Sequence, residues 1–191
     1  MITALVMLVL AAGYRVVAVW DPSLSNFTPL MALTFCAGVY VRDRRLWLVP
    51  FIALVASDLY IDSYYASQFG YLWTFSGAAV RALCFAVALG LGWLVSRQKN
   101  WLNLFSGVLG GAVFFYVVTN TQSWFTDLGY AKTAAGWWQA MTVGHPEFPP
   151  TLLFFRHSLA SDFLFTAAFV LAMEFRALRS AQPSLLQRSA A

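Results

Sequence analysis

Charged residues are scarce in this chain of 191 residues. They make up 10% of the sequence, whereas 60% of the residues are hydrophobic, and soluble domains carry about a quarter charged residues. A soluble core of this size could not bury so much apolar surface. The composition therefore excludes an ordinary soluble domain and indicates a protein that lies in a lipid bilayer. Lipid is thus the first partner that we expect.

Residues with reactive side chains are few. Cys36 and Cys84 lie in apolar stretches with no CxxC or Cys/His spacing, so neither a disulfide framework nor a zinc site is expected. Both are interpreted as packing residues, although Cys84 could instead serve as a soft ligand to a metal-containing substrate. His145 and His157 belong to no HExxH motif or haem-binding pair, and no GxSxG motif occurs. We predict no enzyme activity, no cofactor and no resident metal ion.

A long basic stripe is also missing. The formal net charge is +4 and aromatic residues make up 17% of the chain. A nucleic-acid-binding surface would concentrate lysine and arginine on one face, whereas a membrane protein distributes them over its cytoplasmic loops. No nucleic-acid partner is predicted.

Six apolar stretches are long enough, or nearly so, to cross about 30 Å of hydrocarbon. The predicted fold class is an all-α bundle of six transmembrane helices, at residues 2–20, 27–41, 46–61, 71–95, 101–119 and 151–175. The second and third are short, so they either extend into their flanks or pack inside the bundle where the membrane is thin. We predict a single domain, 1–175, followed by a short polar cytoplasmic tail, 176–191.

The first apolar stretch could be mistaken for a signal peptide. It lacks a basic region before it and a small-x-small cleavage site, and it contains Arg15. It is therefore interpreted as a helix of the mature protein.

Lysine and arginine fall on one side of the predicted bundle. The basic clusters that follow the second, fourth and sixth helices are Arg42, Arg44 and Arg45; Arg97 and Lys99; and Arg176, Arg179 and Arg188. The opposite loops contain one basic residue, Lys132. By the positive-inside rule both termini are expected in the cytoplasm, in a bacterial inner membrane.

Five charges lie within predicted helices, where each costs roughly 3 kcal/mol or more at the membrane centre unless it faces a partner or water. They are Arg15, Asp58, Arg81, Arg156 and Asp162. One interpretation is a polar cavity that opens outward, in which the surplus arginine binds an anionic ligand through its guanidinium fork. The alternative is a set of internal ion pairs that fixes helix register, with the remaining arginine extended to the interface.

Asp162 is expected near the midplane, about 15 Å along its helix. A carboxylate at that depth needs a cation nearby to stay charged. Arg156 lies six residues earlier, on the opposite face of the same helix, so Arg81 is the better predicted partner.

Two asparagines stand at outer helix boundaries. We expect Asn26 and Asn120 to share a polar site with Asp58, since an amide can both cap a helix and bind a ligand. Capping alone is the other interpretation.

The segment 120–150 between the last two helices is rich in aromatic residues, glycine and proline. It is interpreted either as a lid over a cavity or as an aromatic belt on the lipid headgroups. The complete set of predicted substrate-binding residues is Arg15, Asn26, Asp58, Arg81, Asn120, Trp124, Arg156, His157 and Asp162.

Several strings resemble an uncharacterised family of small bacterial membrane proteins with an NFTP motif. They are Ser25-Asn26-Phe27-Thr28-Pro29, Pro50 with Ser57-Asp58, Phe114-Phe115 with Thr119-Asn120 and Trp124, and Phe154 to Asp162. The resemblance spans residues 15–165 and implies no activity, because that family has no established one.

The layout is also distantly similar to S-components of energy-coupling-factor transporters, small six-helix subunits that bind vitamins at the outer face. This chain departs from them at Arg42-Asp43-Arg44-Arg45, where many have glycine-rich turns. The similarity favours a substrate-binding membrane subunit for uptake of a small vitamin-like solute, anionic if the surplus arginine binds it, together with a membrane partner subunit. The alternative is a non-catalytic accessory subunit of a larger membrane complex.

Overall fold

The computed structural model describes residues 11–21, 27–70, 74–180, 182 and 184–185, and all regular secondary structure within these residues is helical. Helix α1 covers 11–17 and continues as a 3-10 turn, Ala18–Trp20. The other helices are α2 (Leu30–Tyr40), α3 (Val49–Phe69, preceded by the 3-10 turn Arg44–Leu48), α4 (Phe75–Arg97), α5 (Trp101–Thr126), α6 (Ala134–Met141) and α7 (Thr151–Arg179).

Four of the described helices, α3, α4, α5 and α7, are long and apolar enough to cross a membrane. The shortest of them has 21 residues and the longest 29, which corresponds to about 32–44 Å at 1.5 Å per residue. The prediction of an all-helical chain with apolar helices long enough to cross a membrane is confirmed for the described residues. The predicted third and fifth helices continue beyond their expected ends, to Phe69 and Thr126.

Helix α2 is too short to span a bilayer by itself. Its 11 residues extend about 16 Å, and Leu30–Val39 are all buried. It begins beside Asp162, whose carboxyl is hydrogen-bonded by the backbone of Ala32, and it ends where the Tyr40 hydroxyl donates to Glu174, 2.7 Å away. Thus α2 runs parallel to the second half of α7 as a buried half-length helix. Residues 1–10 lie outside the described residues, so six complete spans stay a prediction.

Glycines allow α2 and α4 to cross in backbone contact. A Cβ atom at Gly92 would overlap the carbonyl oxygen of Phe35, and one at Gly38 would overlap that of Leu89. The Phe35 ring in turn packs on Gly107 of α5, where a Cβ would lie 2.7 Å from the ring. Small residues let helices approach in this way where lipid supplies no hydrophobic drive for association.

The bundle has two chemically different ends. At one of them the basic clusters meet, because Arg42, Arg44, Lys99 and Arg176 line a single cavity. We call this the basic end. The sequence predicts that this end lies in the cytoplasm. That location stays a prediction, because the fold alone does not orient the bundle in a membrane.

The opposite end carries α6 and is called the α6 end. The predicted loop 120–150 is thus partly helical, and α6 is fastened to α5. The indole nitrogen of Trp137 donates to the Thr121 hydroxyl at 3.0 Å, and the Tyr116 hydroxyl donates to the carbonyl of Met141. Thr133 caps α6 by accepting from the Gly136 N–H.

Candidate functional site

Four charged side chains from three helices form one ion-pair network near the α6 end. Asp58 accepts from Arg15 through one carboxylate oxygen and from Arg81 Nε, at 2.8 Å, through the other. Arg81 Nη2 also donates to Asp62 at 3.0 Å. Arg15 reaches the Ser57 hydroxyl as well, at 2.6 Å. We call Arg15, Asp58, Asp62 and Arg81 the charge cluster.

The local sequence explains this arrangement. Asp58 and Asp62 are four residues apart on α3, so their side chains lie on one helix face, one turn apart. The fork of Arg81 on α4 can therefore bind both carboxylates at once. Arg15 on α1 completes the cluster with two positive and two negative charges, and the side chains are 13–20% exposed. The cluster is neutral overall and largely shielded from solvent.

A cavity of about 690 Å³ adjoins the charge cluster through Arg81. It lies among α4, α5, α7 and the segments that flank α6. Its lining includes Arg81, Tyr116, Thr119, Asn120, His145 and Phe155. We call it the α6-end cavity.

One wall of the α6-end cavity is aromatic. The rings of Tyr116 and Phe155 lie 4.4 Å apart between centroids, and those of Tyr130 and His145 lie 5.5 Å apart in an edge arrangement. Burial, with a smaller contribution from the Asp127 carboxylate, raises the pKa of Tyr130, so its phenol stays neutral at physiological pH. Aromatic walls of this kind suit a planar ligand.

The polar groups of the cavity come mainly from α5. Asn120 Nδ2 donates to the Tyr116 carbonyl at 2.8 Å, which leaves its amide oxygen to accept a hydrogen bond from a ligand. Thr119 donates to the Phe115 carbonyl at 2.7 Å. His145 Nδ1 is buried without a hydrogen-bond partner in the structure as described. The cavity therefore combines a few polar atoms with an apolar surface, as small-molecule sites commonly do.

The structure brings only some of the predicted site residues together. Arg81 and Asn120 line the α6-end cavity, and Arg15 and Asp58 join it through the charge cluster. Asn26, which was expected to share the polar site with Asp58, lies outside the described residues.

Three other predicted residues are placed differently. Arg156 is exposed and makes no hydrogen bond or ion pair with the residues that the structure describes. Trp124 lies beside the cavity, with its indole nitrogen donating to the Ala131 carbonyl at 2.9 Å. His157 is half-buried on α7 and is not part of the cavity lining.

A family model matches residues 1–185 of the chain. The family is DUF6580, described as a family of unknown function. The chain belongs to DUF6580. No curated protein and no solved structure matches it. Membership in a family without an assigned activity agrees with the first resemblance, and the likeness to S-components stays a prediction.

The contact that Asp162 makes in this DUF6580 chain differs from the predicted ion pair with an arginine. Its side chain is buried, with 6% of the residue exposed, but Arg81 is bound to Asp58 and Asp62 instead. The predicted Asp162–arginine pair is wrong. Its carboxyl lies at the backbone of Ala32, in the first turn of α2, where the N–H groups have no partner within the helix.

Sequence reasoning about this DUF6580 chain missed Asp62. It was placed in a loop because the apolar stretch of the third helix was expected to end at residue 61. The structure continues α3 to Phe69, closed by Gly70 in the left-handed conformation. The i, i+4 spacing of Asp58 and Asp62 was the available signal.

Proposed function

We propose that this protein is a substrate-binding membrane subunit for uptake of a small solute, with the α6-end cavity as its binding site. The observation that carries the proposal is a cavity of about 690 Å³, within the usual range of small-molecule sites of roughly 300–1,000 Å³. It lies next to an ion-pair cluster that a bilayer would otherwise penalise.

The ligand we favour is neutral and planar, with a hydrogen-bonding edge. Within the charge cluster the two arginines are matched by two carboxylates, so the surplus positive charge expected from the sequence is not found there. The Tyr116–Phe155 pair offers a stacking surface, and the Asn120 amide oxygen offers an acceptor. A vitamin-like heterocycle fits this combination better than a strongly anionic solute.

The test uses protein purified from its native membrane in mild detergent and measured by native mass spectrometry. We expect a bound small molecule, and we expect its loss in a Thr119→Trp variant, because the indole would occupy the part of the cavity beside Asn120 that the ligand needs. The matched control is Val117→Trp, two residues away on α5 at a position 40% exposed. The proposal fails if wild type carries no small molecule and is not thermally stabilised by any of a panel of vitamins and nucleobases.

The second candidate function is a non-catalytic accessory subunit of a larger membrane complex. The observation that favours it is the internal pairing of the charge cluster, which a purely structural role would also produce. In that case the protein should purify in mild detergent with a partner subunit and without a small molecule. Asp58→Asn should then release the partner, and Thr119→Trp should not. Under both proposals the protein works together with a membrane partner subunit.

A further inference from the structure

The second large cavity lies at the basic end and has a different character. Its volume is about 810 Å³, and Arg42, Arg44 and Arg176 line it together with Lys99 and Glu174. The three arginines come from two parts of the chain that are far apart in sequence: the α2–α3 connection and the end of α7. We call this the basic-end cavity.

The acidic residue of this cavity is already neutralised. Glu174 is 0% exposed, and its carboxylate accepts from Lys99 Nζ at 2.6 Å, from the Tyr40 hydroxyl at 2.7 Å and from the Leu185 N–H at 2.7 Å. Lys99 and Glu174 therefore cancel each other. The net positive charge of the cavity comes from its three arginines.

Among the described residues, these arginines have no anionic partner. Within the part of the chain that the structure describes, the guanidinium groups of Arg42 and Arg176 make no hydrogen bond or ion pair, and that of Arg44 lies over the Trp47 ring at 5.9 Å. Three unpaired guanidinium groups around one cavity form a site for an external anion, because such groups bind phosphate oxygens in a fork.

The connection that carries two of the arginines is held in shape. The Trp47 indole donates to the Val41 carbonyl at 3.0 Å, and the Asp43 carboxylate caps the 3-10 turn by accepting from the Arg45 N–H at 3.0 Å. Arg42 and Arg44 are therefore presented on a defined turn, and binding an anion there would cost little ordering of the backbone.

Its location identifies the anion. The basic-end cavity opens where α2, α4 and α7 end, and α4 and α7 are long and apolar enough to cross a membrane. Groups at the ends of such helices lie at the level of the lipid headgroups. Trp47 and Trp93 line the same cavity, and tryptophan is enriched at this level. We infer that the basic-end cavity binds the phosphate of an anionic phospholipid headgroup through Arg42, Arg44 and Arg176.

The test compares lipids added to the purified full chain in a neutral maltoside detergent, with unfolding followed by tryptophan fluorescence. We expect phosphatidylglycerol to raise the midpoint of thermal unfolding and phosphatidylcholine to leave it unchanged. Inorganic phosphate at equal concentration should also leave it unchanged. An equal rise with phosphatidylcholine would overturn the inference, and an equal rise with inorganic phosphate would overturn the assignment to a lipid.

The cavity variant combines Arg42→Gln, Arg44→Gln and Arg176→Gln. The matched control, Arg45→Gln with Arg97→Gln and Arg179→Gln, removes the same charge from the same end but from residues outside the cavity lining. Each arginine near an anionic lipid contributes about fivefold in affinity, so the cavity variant should bind phosphatidylglycerol roughly a hundredfold more weakly. Equal losses in the two triple variants would show diffuse attraction and refute a site.

Single substitutions keep the test available if the triple variant does not fold. Arg42→Gln and Arg176→Gln remove no partner from the described residues, so each should fold and bind phosphatidylglycerol about fivefold more weakly. Unchanged affinity in both would contradict the inference.

Discussion

The two ends of the bundle use arginine in opposite ways. At the α6 end, Arg15 and Arg81 are bound to Asp58 and Asp62 and are about one fifth exposed. At the basic end, Arg42 and Arg176 line a cavity without a carboxylate partner among the described residues. The same side chain therefore stabilises the fold at one end and remains available to an external anion at the other.

Distance from water explains this difference. An arginine within the apolar length of a helix needs a counter-charge from the protein, because lipid offers none. An arginine at a helix end reaches water and headgroups, which solvate it. For these arginines ion pairing thus follows burial, and breaking each kind of arrangement should give a different size of effect.

The largest effect is expected when the charge cluster is broken. Asp58→Asn leaves Arg15 and Arg81 around a neutral amide, and removing one partner of a buried pair costs about 3 kcal/mol. The free energy of unfolding, measured by denaturant titration in detergent, should fall by that amount. The control, Glu147→Gln, changes an exposed carboxylate and should stay within about 0.5 kcal/mol of wild type. Equal shifts for the two variants would contradict the structural role of the cluster.

A smaller loss is expected where α2 crosses α4. Gly92→Ala places a methyl group against the Phe35 carbonyl oxygen, and the helices must separate, at a cost of about 2 kcal/mol. Gly90→Ala on the same helix meets nothing within 4 Å and should be neutral or slightly stabilising, since alanine favours helix. Thermal unfolding in detergent measures both. If Gly90→Ala destabilised as much as Gly92→Ala, the crossing would not be the cause.

Breaking the ion pair of the basic end should have a more modest effect. Glu174→Gln replaces one carboxylate oxygen with an NH₂ group, which cannot accept a hydrogen bond. The remaining oxygen can still accept from Lys99 and Tyr40, so the hydrogen bond from the Leu185 N–H and the charge of the ion pair are lost, at a cost of about 1–2 kcal/mol. Lys99 is 27% exposed, so water solvates part of its charge. A loss of stability as large as that of Asp58→Asn would show that the ion pairs at the two ends are equally shielded from water. It would contradict the difference between the two ends.

The smallest effect is expected for an unpaired arginine. Arg176→Gln removes no ion pair from the described residues, so stability in neutral detergent should change by less than about 0.5 kcal/mol. Arg81→Gln, the matched change at the α6 end, should cost about 3 kcal/mol, because it leaves Asp62 without its arginine and Asp58 with Arg15 alone. Unfolding of both variants in lipid-free detergent gives the direct comparison. Similar losses would mean that Arg176 has a structural partner.

The sequence was sufficient for an all-helical chain with long apolar helices and for three members of the charge cluster. Scarce charge and long apolar stretches indicated membrane helices, because these properties follow from composition alone. The cost of a charge in lipid also marked Arg15, Asp58 and Arg81 as residues that require partners. The structure joins these three in one cluster.

Only the tertiary structure decided which partner each charge has. Asp62 entered the cluster because α3 continues about two turns beyond the end that its apolar pattern suggested, and Asp162 meets the first turn of α2 rather than an arginine. Pairing depends on where a helix starts, how far it continues and which neighbour its face meets. Those properties are set by packing such as the Gly38–Gly92 crossing, which involves residues far apart in the chain and therefore leaves no local pattern in the sequence.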